Sequence, residues 1–375
     1  MAISGIKSVD FLITAVGEGV VNHNGSFSVY NPAAGKTVDN HMFPKLRGLD
    51  PMQRIAKGED GRTQAFSLTD PEIANAKLIV SAECVRSQLF KDVSFGLRQV
   101  TVDNVAEVLA SLHGLVRGYL ITAGGRNFAR KSCLYVTDFE CAKPDLAFNQ
   151  GTNSKARGTK QEETSIYSYF KTGKDLRYTG KATLSIEDLQ FIPMENSLGR
   201  SAFDHQVTVK TGQEVAAKIT QFLTDLAPPG LLPEARFIKK AVRKGAVSKV
   251  GDAGILLNDE AIRVVVRQVS ELIETLCIRQ GKGYLQVTDV RVDFNNGGRV
   301  FRSDSDPTLA DAQWAGPFAE YYMDEAISDA DFAAAQNAMR SESEDKKAAK
   351  DAAKAAKVES KVAAKAAADA VTSPA

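Results

Sequence analysis

Ile278 to Phe294 reads IRQGKGYLQVTDVRVDF, a basic, glycine-broken turn feeding a strand that opens Lys282-Gly283-Tyr284. Those three residues match the start of a strand signature used by RNA-binding sheets. Lysine meets phosphate, glycine lets the backbone approach, and an aromatic offers a stacking face. Val287 sits at the aliphatic position of that signature, whereas Leu285, Gln286 and Asp289 replace its small residue and its further aromatics. Arg117-Gly118-Tyr119-Leu120 nearly repeats the opening far upstream, so one sheet has room for two such entries. Two readings follow, an RNA-gripping sheet or two glycine-started core strands.

Outward from this stretch, the apolar period names its neighbours. Asn258 is a good cap for a long helix to about Cys277, with Ile262, Val266, Val269, Leu272, Ile273 and Leu276 on one face, running directly into the Gly281-Lys282-Gly283 turn. Thr211 to Leu226 repeats that logic with Val215, Ile219, Phe222 and Leu223, and Asp103 is placed to cap a helix carrying Val105, Val108, Leu109, Leu112, Leu115 and Val116. Leu78 to Phe90 reads as a short strand entering a helix with Val85 and Leu89. Ile6 to Val16 reads as a first strand, ending in Gly17-Glu18-Gly19 and an Asn24-Gly25 turn. Asn31 to Pro71, rich in Gly, Pro and charge, reads as a long insertion with little regular structure.

Val136-Thr137-Asp138-Phe139, Ile186-Glu187-Asp188-Leu189 and Val287-Thr288-Asp289-Val290 share a pattern in which apolar residues change parity across the acid. A β-bulge does this to a strand; a metal site built from Asp138, Asp188 and Asp289 is the alternative. Strands and helices in this order predict an α+β fold, an antiparallel sheet with helices on one face in the ferredoxin-like arrangement.

The 375 residues are 43% hydrophobic, enough to bury a large core. With no run of 18 apolar residues and no cleavable leader pattern, a soluble cytoplasmic protein is expected. Cys84, Cys133, Cys141 and Cys277 form no C-x-x-C pair, which argues against zinc and against a disulfide scaffold. Net charge is +1, but it is segregated. Gly114 to Lys181 holds 12 Lys/Arg against 6 Asp/Glu, Glu234 to Arg302 holds 13 against 8, and Ser303 to Arg340 reverses to 8 acids and one Arg. Arg236, Lys239, Lys240, Arg243, Lys244 and Lys249 run without an intervening acid. This suits a subunit whose acidic face meets the basic face of its neighbour, or a nucleic-acid groove with an acidic rim.

Between Lys143 and Lys181 the chain interleaves cations, among them Lys155, Arg157, Lys160 and Arg177, with Tyr167, Tyr169, Phe170 and Tyr178, and Gly151 to Gly180 lacks a core-forming apolar period. Cations hold phosphates while rings accept bases without sequence preference. A projecting hairpin between the strands at Val136 and Leu184 would present such a set. Ser341 to Ala375 holds 13 Ala, 7 Lys and 6 Asp/Glu, which predicts an exposed helix or a disordered tail, dispensable for assembly.

Six blocks, Gly5–Phe11, Gly35–His41, Pro44–Gly48, Ser185–Ile192, Gly254–Asp259 and Ile278–Tyr284, resemble the Cas-seven-type backbone subunit of class 1 CRISPR surveillance complexes, in particular the minimal type I-F variant Cascade, within the RAMP superfamily. The resemblance implies an RRM-like palm with strands near residues 6–16, 134–140, 182–192 and 284–294, a finger insertion at 22–77, a thumb at 143–181 and a basic segment at 234–251, all within 1–340 and followed by the 341–375 tail. It implies a non-catalytic subunit without cofactor or metal that oligomerises along CRISPR RNA and presents the guide to a target DNA strand. Its partners would be copies of itself, other Cascade subunits and a recruited nuclease-helicase, with no membrane. Arg86 resembles the phosphate-meeting residue of the first palm helix, Arg117, Arg130 and Lys131 would continue that track, and Lys45, Arg47, Arg279, Lys282 and Tyr284 complete the RNA-binding set. Cys133 stands where the related pattern has proline.

Enzyme signals are poor. Gly125 to Ser132 nearly spells a P-loop, but Arg130 replaces the second glycine, whose missing side chain lets backbone N–H groups cradle phosphate. His23, His41, His113 and His205 have no ligand or triad spacing. Asp39 and His41 are the best nuclease pair, which makes a metal-dependent endoribonuclease of the same superfamily the alternative. A generic single-strand coat protein is the third reading.

Overall fold

Val9, Phe11, Ile13 and Ala15 alternate with Ser8, Asp10, Leu12 and Thr14, and this period of two builds a strand with one face in the core. The computed structural model describes residues 5–31, 36–47, 76–93, 101, 103–123, 126–153, 165–195, 200–203, 207–247, 250–302, 318–319 and 321–371. Its strands are β1 (Ser8–Gly19), β2 (His23–Asn31), β3 (Lys36–Pro44), β4 (Leu46–Arg47), β5 (Lys77–Val80), β6 (Tyr119–Ala123), β7 (Arg126–Arg130), β8 (Leu134–Val136) and β9 (Phe139–Cys141). They continue with β10 (Ala147–Asn153), β11 (Ser165–Lys171), β12 (Leu176–Ser185), β13 (Phe191–Pro193), β14 (Ala235–Arg243), β15 (Asp252–Leu257), β16 (Cys277–Gln280), β17 (Gly283–Asn295) and β18 (Tyr322–Asp324). The helices are α1 (Ala82–Leu89), α2 (Val105–Leu109), α3 (Ile186–Gln190), α4 (Val209–Leu226), α5 (Asp259–Glu274) and α6 (Asp329–Val371), with a π-helical turn at His113–Arg117.

The fold is mixed α/β around an antiparallel sheet. Eight strands form it in the order β16-β17-β1-β12-β9-β5-β4, with β8 also on β12. A four-stranded sheet, β13-β15-β14-β18, stands beside it, and α4 and α5 share one core with both. Helices α4 and α5 are both capped: Asn258 accepts from Ala261 N, as the sequence predicts, and α4 begins earlier than the expected Thr211, with Thr208 accepting from Thr211 N. On the core face, Phe11 pairs with Ala182 and Val292 while Val9 pairs with Leu184 and Phe294. Gly180 is required there, because a Cβ would lie 2.0 Å from the Phe139 ring. Gly19, at φ +75°, lets the end of β1 touch the Lys282 carbonyl.

The other face of this sheet closes over a carboxylate at one end. Asp10 is 1% exposed and accepts from Ser8 Oγ (3.1 Å), Thr183 Oγ1 (3.0 Å), Asn295 Nδ2 (2.8 Å) and Phe301 N (2.9 Å). Arg302 forks onto the neighbouring Asp293 at 2.7 and 2.8 Å. The carboxylates thereby hold the 296–302 turn against three strands.

Several sequence expectations change. The bulged-strand reading holds in β17, where the register shifts between Thr14 and Ala15 and the Thr288 hydroxyl bonds Thr14 O. It fails at Ile186–Gln190, a short helix, because Ser185 Oγ accepts from Asp188 N and caps it. At Val136–Phe139 the chain breaks between β8 and β9, and Asp138 leaves the sheet to accept from Ala82 N at the start of α1. The helix expected from Asp103 to Val116 is split. Asn104 is its N-cap position, and Gly114 packs so closely on the Val108 carbonyl that the axis must turn. Strand β16 intervenes before the Gly281-Lys282 turn, and β2–β3 is a hairpin where irregular chain and an Asn24-Gly25 turn were expected. Within Lys143–Lys181, β10 and β11 form a hairpin, but Leu176 and Tyr178 are core residues of β12. Phe170 of that hairpin packs on Phe43 of the other, ring centroids 5.1 Å apart.

The basic run at 234–251 meets the acidic stretch within the same chain. Arg236 pairs with Asp324 (3.5 Å), Lys239 with Asp329 (2.8 Å), Lys240 with Glu325 (2.7 Å) and Arg243 with Glu187 (3.0 Å). Helix α6 is pinned by buried Phe332 against Phe237, and beyond it the residues between 348 and 357 are exposed. Asp10→Ala should lower unfolding free energy by about 3 kcal/mol, since four donors lose a buried acceptor. Urea denaturation checks it; a change below about 0.5 kcal/mol would show that the network contributes little.

Candidate nucleic-acid interface

Two-residue periodicity decides which side chains of β17 leave the core. Tyr284 and Gln286 point to the open face, and the extra residue at Thr288 shifts parity so that Asp289 and Arg291 stay on that face. Across the strands, Tyr284 stands beside Arg279 of β16 and Glu18 of β1, Gln286 beside Val16 with Arg177 on the far side of β1, and Arg291 beside Leu12 with Lys181 on the far side. Tyr284 is 41% exposed, Arg177, Arg279 and Arg291 are exposed, and Lys181 lies over the Phe301 ring. Cys277, Arg279, Gln280, Gly283, Tyr284 and Gln286 line a shallow hollow of about 470 Å³ at this edge. A ring beside a guanidinium in an open hollow can stack a base and hold its phosphate.

The hollow continues into a basic border. Lys282, in the β16–β17 turn, presses on His23, whose pKa falls through burial first and this lysine second. The adjacent Asn22 accepts Lys45 N through its carbonyl and Ser81 N through its side chain. Lys45 in turn acts on Glu83 and Cys84 in α1. From α1, Arg86 reaches the Arg117 carbonyl at 3.5 Å, and Arg117 is pushed below its ordinary pKa by burial and by Arg86. His113 is lowered likewise, by burial and then Arg117. No salt bridge joins Arg86 or Arg117 to a described carboxylate, though Arg86, like Lys45, acts on Glu83. Glu83 offsets only part of this charge, and two neighbouring guanidiniums favour an anion beside them.

Other sequence candidates are placed differently. Arg130 is 4% exposed; its Nη atoms donate to Asp188 O (2.7 Å), Leu115 O (3.3 Å), Phe191 O (3.4 Å) and Cys133 Sγ (3.0 Å). It ties β7 to α3 and the π-helical turn and is closed to a phosphate in this structure. The same contacts explain Cys133, whose thiol takes one of these bonds. Arg47 is exposed but committed to Asp138 (2.9 Å) and Glu140 (2.6 Å), and Lys131 to Asp188 (2.9 Å). Lys155, Arg157 and Lys160 lie outside the described residues, and only the backbone of Asp39 and His41 is described. Asp138, Asp188 and Asp289 do not converge. Among the described residues no three His, Cys, Asp or Glu side chains gather, and no helix is long and apolar enough to cross a membrane. Sequence reading passes over Arg291, although the parity change at Asp289 is the signal that places it on the outer face.

A family model for the type I-Fv CRISPR-associated protein Cas7fv-like matches residues 5–325. The chain belongs to this family. Membership makes it a Cas7 protein of a type I variant CRISPR system and implies a CRISPR RNA-binding backbone role in antiviral defence. No curated protein matches the chain.

Each of Arg86→Ala and Arg117→Ala should reduce the slope of log affinity for RNA against log salt by about 1. Arg130→Met should leave that slope unchanged while costing about 2–3 kcal/mol of stability. Anisotropy titrations and urea melts separate the two, and a slope change at Arg130 would reopen it as a contact. Because His23 and His113 have folded pKa values below 6.5, the unfolded chain binds more protons below that pH. Stability should therefore fall on acidification below about pH 6.5 and respond less in His113→Gln, which melting temperatures between pH 7.5 and 5.5 would reveal.

Proposed function

We propose that this chain is a non-catalytic subunit that polymerises along the guide RNA and holds it for pairing with a target DNA strand. The reading is carried by the succession of cations from Lys282, beside Tyr284, past Lys45 to Arg86 and Arg117, which outnumber the acid among them, Glu83. Such an array holds a polyanion without reading its bases, as a subunit repeated along one RNA requires. In this reading the eight-stranded sheet is the RRM-like palm of the RAMP superfamily. Hairpin β2–β3 belongs to the fingers and β10–β11 to the thumb. The chain's partners are CRISPR RNA, the target strand, further copies of itself, other Cascade subunits and a recruited nuclease-helicase, in the cytoplasm. Arg177, Arg279 and Lys282 join Lys45, Arg86 and Arg117 as phosphate contacts, with Lys155, Arg157 and Lys160 carried by the thumb.

The thumb must be tested without cutting β12, whose Leu176 and Tyr178 are buried. Replacing residues 149–168 by a short Gly-Ser linker should preserve the melting temperature and the bound RNA but abolish regularly spaced nuclease protection. A wild-type protection ladder from that variant would overturn the thumb assignment.

A further inference from the structure

Helix α6 runs to Val371, beyond the residues 5–325 that the family model matches. Its seven distal lysines are spaced 346, 347, 350, 354, 357, 361 and 365. At about 100° per residue these positions fall within one sector of about 100° around the helix axis. None of the six acids between Ser341 and Ala375 falls in that sector. The run from 346 to 365 extends about 28 Å along the axis, one lysine every 4–6 Å or so. Lys350, Lys354 and Lys357 are exposed. The modest net charge of this segment therefore hides a continuous cationic edge.

We propose that this edge binds the phosphate backbone of duplex DNA, a second nucleic-acid contact separate from the guide RNA border. Phosphates recur along a duplex at high linear density, and a straight row of ammonium groups displaces their counterions without regard to sequence. Ser341 to Ala375 contains no Phe, Tyr or Trp, so it lacks the stacking platforms on which single-strand binding relies. The sectors away from the lysines hold alanines and acids, with Val358, Val362 and Val371 as the largest apolar residues. That is too little to enter a lipid interface or to seam a coiled coil.

The test uses the full chain with its RNA and a fluorescent 40-base-pair duplex unrelated to the guide, at low salt. Changing all seven lysines to Gln should weaken duplex binding at least tenfold and reduce the salt slope by about 3 or more. A second variant moves four lysines off the edge at constant composition: Lys350→Ala with Ala352→Lys, Lys354→Ala with Ala355→Lys, Lys357→Ala with Ala356→Lys, and Lys361→Ala with Ala363→Lys. It should lose at least fivefold, while seven Lys→Arg changes retain wild-type affinity. RNA retention should stay at the wild-type level throughout, which separates this site from the guide border. Wild-type affinity in the rearranged variant would overturn the proposal, as would tighter binding of the wild type to phosphatidylserine vesicles than to the duplex.

Discussion

Everything described here hangs on the double pairing of β1. This strand is zipped to β12 over Ser8–Gly17 and to β17 over Ser8–Gly19, partners that lie more than 150 and 260 residues away in sequence. Because side chains alternate, the pairing assigns Val9, Phe11, Ile13 and Ala15 to the core and so hands the opposite face to Arg177, Lys181, Tyr284 and Arg291. A register slip of one residue on either side would exchange the two sets. Three devices hold the register: the Asp10 acceptor at one end, the Thr288 bulge in the middle and the close contact of Gly19 with the Lys282 turn at the other.

Charge in this protein divides by whether it has a partner. The cation-rich run from Arg236 to Arg243 is satisfied by Asp324, Glu325, Asp329 and Glu187, and these partly exposed pairs position β18 and the start of α6. Each contributes little stability by itself. By contrast Arg86 and Arg117 sit side by side with no ion pair to a described carboxylate, and burial together with their mutual repulsion lowers the pKa of Arg117. Arg130 is a third case, a buried cation solvated by carbonyl oxygens, whose work is structural. Counting lysines and arginines along the sequence treats all three alike.

The basic border is assembled from five separated pieces of chain: β16–β17, the His23 turn, Lys45, α1 and the π-helical turn. Its residues are contributed by turns and helix ends, where the backbone is set by caps and glycines instead of by apolar period. Such a border is continuous only once the sheet has closed. This is why Lys45 and Arg86, from separate pieces of chain, both act on Glu83, while Lys282 acts on His23.

From the sequence alone, the strands and helices that obey one clear period are legible: β1, α1, α4, α5 and β17, with Asn258 as cap and the parity change at Asp289 as a bulge. The blocks from Gly5 to Tyr284 also made the family legible, because runs of matched residues survive where single motifs do not. Tertiary structure decided what the repeated acid pattern does at Asp138, which accepts from Ala82 N at the start of a helix 56 residues away, whereas the Ser185 cap on Asp188 N is local. It also decided which cations are spent within the fold, for an ion pair between Lys240 and Glu325 has no local sequence signal. The physical reason is one of range. Periodicity and capping act within a few residues and are written in the local chain, whereas burial of Arg130 against Asp188, Leu115 and Phe191 depends on segments that meet only after folding.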